Sequence, residues 1–150
     1  MSYESKLESL GYRIKPVDLD VGKFVEAVKV GNLVFTSGQI SSWNGMDVKG
    51  KVGKDLTVEE AYQAAKLCTL NNLQVIKTIT GSLDKIVRIV KVFGMVNVAP
   101  EFDNTSAVIN GCTDLLREVF GDKGKHVRSA VGMTIPLNWA VEIEMVVEVE

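Results

Sequence analysis

The segment His126-Val127-Arg128-Ser129-Ala130-Val131-Gly132-Met133 sets an arginine inside a run of β-branched, small and apolar residues. A guanidinium stays charged at physiological pH, and its planar fork matches a carboxylate through two parallel hydrogen bonds. In an apolar strand it needs an anionic partner, because an unpaired buried charge is strongly destabilising. That partner is either a carboxylate of the protein, Glu142 or Glu144 on a neighbouring strand, or the acid group of a ligand. Few other side chains could do chemistry. His126, the single histidine, lies two positions before Arg128 on the same strand face and reads as solvent-facing at a strand entrance. Cys68 and Cys112 fall in helical segments and read as small, reduced core residues, which suits a cytoplasmic protein. One histidine and two helical cysteines do not make a zinc site. Gly50-Lys51-Val52-Gly53-Lys54-Asp55 lacks the spacing and the Ser/Thr of a phosphate loop. No metal and no cofactor is expected.

The elements that must position Arg128 follow from periodicity. Phe24 to Val30 and Leu33 to Thr36 are β-rich runs around Gly31-Asn32, a two-residue hairpin signal. Ser37-Gly38-Gln39 ends the second run with small and polar residues, and residues 43–55 read as a hairpin plus loop. Thr57-Val58-Glu59-Glu60 forms a capping box that opens a helix to about Thr80, closed by Gly81. Ala61, Ala64, Ala65, Cys68 and Asn72 lie on its apolar face, so something packs closely there. Ile86 to Val98 is a long strand, and Asn104 or Thr105 caps a second helix to Phe120. Val127 to Thr134 and Trp139 to Val149 are the last strands. Residues 5–14 form a short helix or extension. This is an α+β pattern with about six strands in a mixed sheet, and two helices can cover only one of its faces.

Along the last two strands, one set of alternating residues must meet the helices and the other must look outward. Setting Ala130, Gly132 and Val146 outward beside charges would leave an apolar patch, the mark of an interface, so an oligomer is expected. The chain of 150 residues, 46% hydrophobic and 24% charged, reads as a single domain, with residues 1–20 as an N-terminal extension. A net charge of −2 provides no overall basic field and disfavours nucleic acid as a partner. No apolar run is long enough to span a bilayer, and the N-terminus has no signal-like core, so a cytoplasmic location is expected.

Phe35-Thr36-Ser37-Gly38-Gln39-Ile40, Val108-Ile109-Asn110, Val127-Arg128-Ser129-Ala130-Val131 and Val141-Glu142-Ile143-Glu144 occur in that order. Together they resemble the RidA/YjgF family, also called the L-PSP endoribonuclease family, over nearly the whole chain from about Val21. The length and the Arg-Ser-Ala-Val-Gly wording are similar to a longer branch of it. The resemblance implies a chorismate-mutase-like fold, a homotrimer whose sheets line a central barrel, and three clefts between subunits. It implies hydrolysis of 2-imino (enamine) acids to 2-oxo acids and ammonia. Arg128 would hold the substrate carboxylate with the backbone N–H of Ala130, and Glu142 would position the attacking water. Ser37, Gly38 and Asn110 would line the cleft. The sequence departs from the archetypal pattern at Phe24, where a tyrosine is common, and at Ala130, where a cysteine is common.

A deaminase is therefore the first expectation, with a small carboxylate-bearing metabolite as its ligand. A non-catalytic, regulatory trimer that binds small carboxylates is the second. The endoribonuclease or translation-inhibitor activity of the family label is the weakest, because no phosphate-binding footprint is visible in the sequence.

Overall fold

The computed structural model describes residues 1–150. Its helices are α1 (Tyr3–Ser9), α2 (Val58–Thr80) and α3 (Thr105–Phe120). Its strands are β1 (Ala27–Val30), β2 (Leu33–Thr36), β3 (Gln39–Ile40), β4 (Ser42–Trp43), β5 (Met46–Asp47), β6 (Ile86–Asn97), β7 (Val127–Met133) and β8 (Val141–Val149). The main sheet runs β1-β2-β8-β6-β7, with β3 also on β8, while β4 and β5 form a separate hairpin. Only β6 and β7 pair in parallel, and α3 makes the crossover between them. The fold is therefore α+β with a mixed, six-stranded sheet, as the pattern of elements required.

Local chemistry explains the long helix. The Thr57 hydroxyl accepts from the Glu60 N–H, and the Glu60 carboxylate accepts from the Thr57 N–H, so the capping box is complete. Gly81 ends α2 in the left-handed region at φ 90°, which a Cβ would resist. The small face of α2 receives α3. Ala61, Ala64 and Ala65 are fully buried, and Gly111 of α3 lies against the Tyr62 carbonyl and the Ala65 Cβ.

Asn72, on the same helix, ties α2 to the sheet through a buried network. Its amide donates to the Cys68 and Ile143 carbonyls at 2.9 and 3.0 Å, and its Oδ1 accepts from the Thr36 hydroxyl at 2.7 Å. The Thr36 oxygen in turn accepts from the Met145 N–H at 2.9 Å. That side-chain bond stands where the ladder is interrupted. Phe35 is opposite Val146 but Gln39 is opposite Ile143, so one extra residue is inserted between β2 and β3. Ser37-Gly38 thus forms a bulge within a continuing strand line, where the sequence predicted a strand end.

Several expectations need correction. The first strand starts at Ala27 rather than Phe24, because Asp20 and Val25 close a turn through Gly22 at φ 100°. The first helix is Tyr3–Ser9 rather than 5–14, and it is docked: Leu7 is fully buried and the Tyr3 ring lies 4.5 Å from that of Phe120. The outward face also has a different membership. Register places Arg128 in the row of Val92 and Met145, both buried beneath the helices, and Gly132 in the row of Val96 and Val141. Arg128, Ala130 and Gly132 therefore face the helix layer. The open face carries Glu142, Glu144 and Val146 with Val127, Val131, Val28 and Phe35. Val127 is 65% exposed and Phe35 40%. The uncovered apolar patch exists, built from these residues instead.

Gly111→Ala should destabilise the protein despite alanine's helix preference of about 0.5–1 kcal/mol over glycine. The new methyl meets a backbone carbonyl that cannot step aside, and overpacking of this kind costs about 1–3 kcal/mol. A lower urea midpoint with an unchanged slope is the expected result.

Candidate functional site

β7 is an edge strand, so side chains on its helix-facing side look past β6 toward the flank of α3. There Asn110, Thr113 and Arg117, at i, i+3 and i+7, form one stripe of the helix. His126, just before β7, and Arg128 within it point at that stripe. These five residues and Lys125 line a cleft of about 260 Å³. Both N–H groups on Nη1 of Arg128 are used, one donating to Asn110 Oδ1 at 2.9 Å and the other to Thr113 Oγ at 3.0 Å.

Those partners are neutral. Neither Glu142 nor Glu144 pairs with Arg128, and the chain's one ion pair joins Lys125 to Asp122 at 3.0 Å. Three of the five guanidinium N–H groups, on Nε and Nη2, make no hydrogen bond within the chain. They form the edge of the fork that grips a carboxylate with two parallel bonds.

His126 is half-buried and takes part in holding Arg128, which corrects its reading as a solvent-facing residue. Its Nδ1 lies 2.6 Å from the Gly124 carbonyl and its Nε2 3.0 Å from Thr113 Oγ. A proton on Nδ1 donates to that carbonyl, which leaves Nε2 to accept the Thr113 hydroxyl proton. Thr113 Oγ then keeps its lone pairs for Arg128. Burial pushes the imidazole below its ordinary value, and repulsion from Arg128 and Arg117 adds to this against the raising effect of the Gly124 bond. The neutral, Nδ1-protonated ring is the form that completes the chain of bonds.

Glu142 belongs to a second cluster. It lies two strands from Arg128 and in a row three residues along, so about 10 Å across and about 10 Å along the sheet. It is also on the opposite face. Its carboxylate packs directly over Gly38, where a Cβ would overlap Glu142 Oε2. Burial raises its pKa, and the neighbouring charge of Glu144 raises it further. Beside it, the Ser37 hydroxyl donates to the Val25 carbonyl at 2.7 Å. Gln39 donates to Glu26 at 3.0 Å and braces the same bulge.

The sequence-predicted residues thus separate into two groups. Asn110, Arg128 and Ala130 lie along β7 and α3, and the Ala130 carbonyl accepts from Thr105 at 2.9 Å. Ser37, Gly38 and Glu142 gather around the bulge, while Phe24 is an exposed residue preceding Val25, whose carbonyl the Ser37 hydroxyl reaches. Thr113, Arg117 and Lys125 were missed, although the spacing of Asn110, Thr113 and Arg117 announces a polar stripe beside the apolar face of the helix. The thiols take no part. Both are fully buried, and burial pushes Cys112 up to about 12 and Cys68 well above its usual value.

The family model described as "YjgF/chorismate_mutase-like, putative endoribonuclease" matches residues 4–149. The chain belongs to that YjgF family. Protein TCP17 of Trypanosoma cruzi is 35% identical over 147 residues, which cover 96% of this chain and 92% of TCP17. The structure of Atu1372 from Agrobacterium tumefaciens superposes with a TM-score of 0.90 at 40% identity, covering 99% of this chain and 92% of that one. E. coli TdcF, solved with bound serine, shares the YjgF fold at a TM-score of 0.62 and 22% identity, over 89% and 94% of the two chains. No helix of this YjgF member is long and apolar enough to cross a membrane.

Because the chain has one histidine, its imidazole proton signal is unambiguous in an NMR titration. The midpoint should fall below the ordinary value of about 6.5. The unfolded chain takes up this proton first, so the contribution to stability is complete above about pH 6.5 and is lost as pH falls through the depressed folded value. Arg117→Gln should move the midpoint upward by removing one of the two repelling charges.

Proposed function

We propose that the protein hydrolyses 2-imino acids, or their enamine tautomers, to 2-oxo acids and ammonia in clefts between identical chains of a homotrimer. The observation that carries this reading is the Arg128 guanidinium, oriented by two neutral oxygens with its Nε–Nη2 edge free. A group held in that way suits a ligand carboxylate. The serine bound to TdcF, itself a small carboxylate, supports a ligand of this kind in a protein of the same fold.

The separation of the two clusters supports a shared cleft. Within one chain, Arg128 and Glu142 look away from each other through the sheet. An interface that buries the open face could set the Glu142 cluster of one copy beside the Arg128 cluster of the next. The apolar residues of that face, Val28, Phe35, Val127 and Val131, supply a reason to associate.

The chemistry asked of such a cleft is modest. An imine carbon conjugated to a carboxylate is already electrophilic, so orientation and one proton-shuttling group are enough. Arg128 binds the carboxylate and fixes the C=N bond. Glu142 takes a proton from water as the oxygen adds to that carbon. That proton passes to the imine nitrogen to give a carbinolamine; the hydroxyl proton is then carried by Glu142 to the amine, and ammonia leaves as the C–N bond breaks and the C=O bond forms. A carboxylate with a raised pKa is a better base for this than an ordinary one. Phe24 supplies a ring without a hydroxyl, and Ala130 a methyl without a thiol, so the proposal gives neither side chain a proton-transfer role.

The test is ammonia release from 2-iminopropionate or 2-iminobutyrate generated in situ by an amino-acid oxidase. Added protein should accelerate release. Arg128→Ala should lose about 2–5 kcal/mol of carboxylate binding, at least about 30-fold in affinity. Gly38→Ala should fold normally, because the methyl meets only the flexible end of Glu142, yet lower kcat by displacing the carboxylate. An unaltered imine half-life with folded protein in excess would overturn the proposal.

A further inference from the structure

The cleft beside Arg128 holds more positive charge than one carboxylate needs. Arg117 and Lys125 line it with Arg128, and no carboxylate is among its lining residues. Of the nearby acids, Asp122 alone is paired with one of these cations. Asp114 accepts the Tyr62 hydroxyl, so its carboxylate is engaged on the flank of α3 that faces α2. Glu118 also acts on Tyr62 from there. Asp122 reaches Lys125 at 3.0 Å and also feels the charge of Arg117, but both partners of the pair are largely exposed, and an exposed pair contributes little, so an incoming anion competes with it in water. The chain as a whole carries −2, so the cluster is a local arrangement rather than a reflection of a basic protein.

We propose that this cleft is a two-anion site, taking a carboxylic acid that bears a second anionic group, carboxylate or phosphate, on its side chain. The proposal rests on the reading of Arg128 as the carboxylate anchor and extends it to the substrate class. The α-carboxylate occupies the free edge of Arg128, while Arg117 and Lys125 receive the second group. Its volume suits a small metabolite rather than a drug-sized ligand. Asn110 and Thr113 hold the anchor arginine in place, so the α-carboxylate meets a cation already fixed on an edge strand. Bound anions also stabilise a proton on His126, which the surrounding cations otherwise repel.

Binding to the assembled protein separates the possibilities. The probes are pyruvate and 2-oxobutyrate as monoanions, 2-oxoglutarate as a dicarboxylate, and 3-phosphohydroxypyruvate as a phosphorylated acid, measured by calorimetry at low and high salt. At least one doubly anionic probe should bind about tenfold tighter than the monoanions, and the difference should shrink in 0.5 M salt as screening grows. The tighter of the two identifies the second group. Arg117→Gln or Lys125→Gln should cut the ratio of dianion to monoanion affinity several-fold. The dianion should also raise the His126 NMR midpoint more than pyruvate does.

Equal affinities for all four acids, with binding lost in Arg128→Ala, would overturn the two-anion site and leave the deaminase reading standing. A dianion preference unmoved by both substitutions would likewise overturn it. Failure of every acid to bind would remove the Arg128 anchor, and both readings with it.

Discussion

Side chains alternate across a strand, and two long helices can cover only one face of a six-stranded sheet. Everything distinctive about this protein follows from that pair of constraints. The helix layer claims Val92, Met145 and Ile143 for the core, and the same alternation carries Arg128 to the helix side of the edge strand. It carries Glu142 to the other side, among the exposed residues of the open face. A cation suited to gripping an acid and a carboxylate suited to moving a proton are thus produced by one sheet but cannot meet through it.

Each group is held by a device that does not cancel its charge. Arg128 rests on amide and hydroxyl oxygens, and the hydroxyl is steadied by a neutral imidazole that is itself anchored on a backbone carbonyl. A carboxylate in the Asn110 position would have held the guanidinium more tightly and spent it. Glu142 rests on a glycine inside a bulge, and the bulge is kept in register by Thr36 and Asn72 from the core. Burial of the carboxylate and the nearby charge of Glu144 both favour its protonated form. Positional precision comes from neutral groups in both cases.

Much of this was legible in the sequence. The capping box at Thr57, the small face of α2 and the Gly31-Asn32 hairpin carry strong local signals, and the fold follows from their order. Arg128 stood out because a charge in an apolar strand demands an explanation. The assignment of faces was harder to read. Val127 and Val131 look like core residues by type, yet they are exposed because β7 is an edge strand whose helix side is occupied by Arg128. Only register, which depends on partners far along the chain, decides this. The Ser37-Gly38 bulge read as a strand end, since small polar residues give the same signal in both settings. The role of His126 depends on Thr113, thirteen residues earlier, and no local pattern links the two.

The position of β8 bears on how such a molecule comes into being. This strand is synthesised after all the others yet lies at the centre of the sheet, between β2 and β6. While the polypeptide emerges from the ribosome, β2 and β6 present open edges with nothing between them, and the Thr36 and Asn72 side chains lack their partners on β8. The sheet cannot close progressively from one end. It must wait for its middle, and the nascent molecule carries two unprotected edges until that last strand slots in.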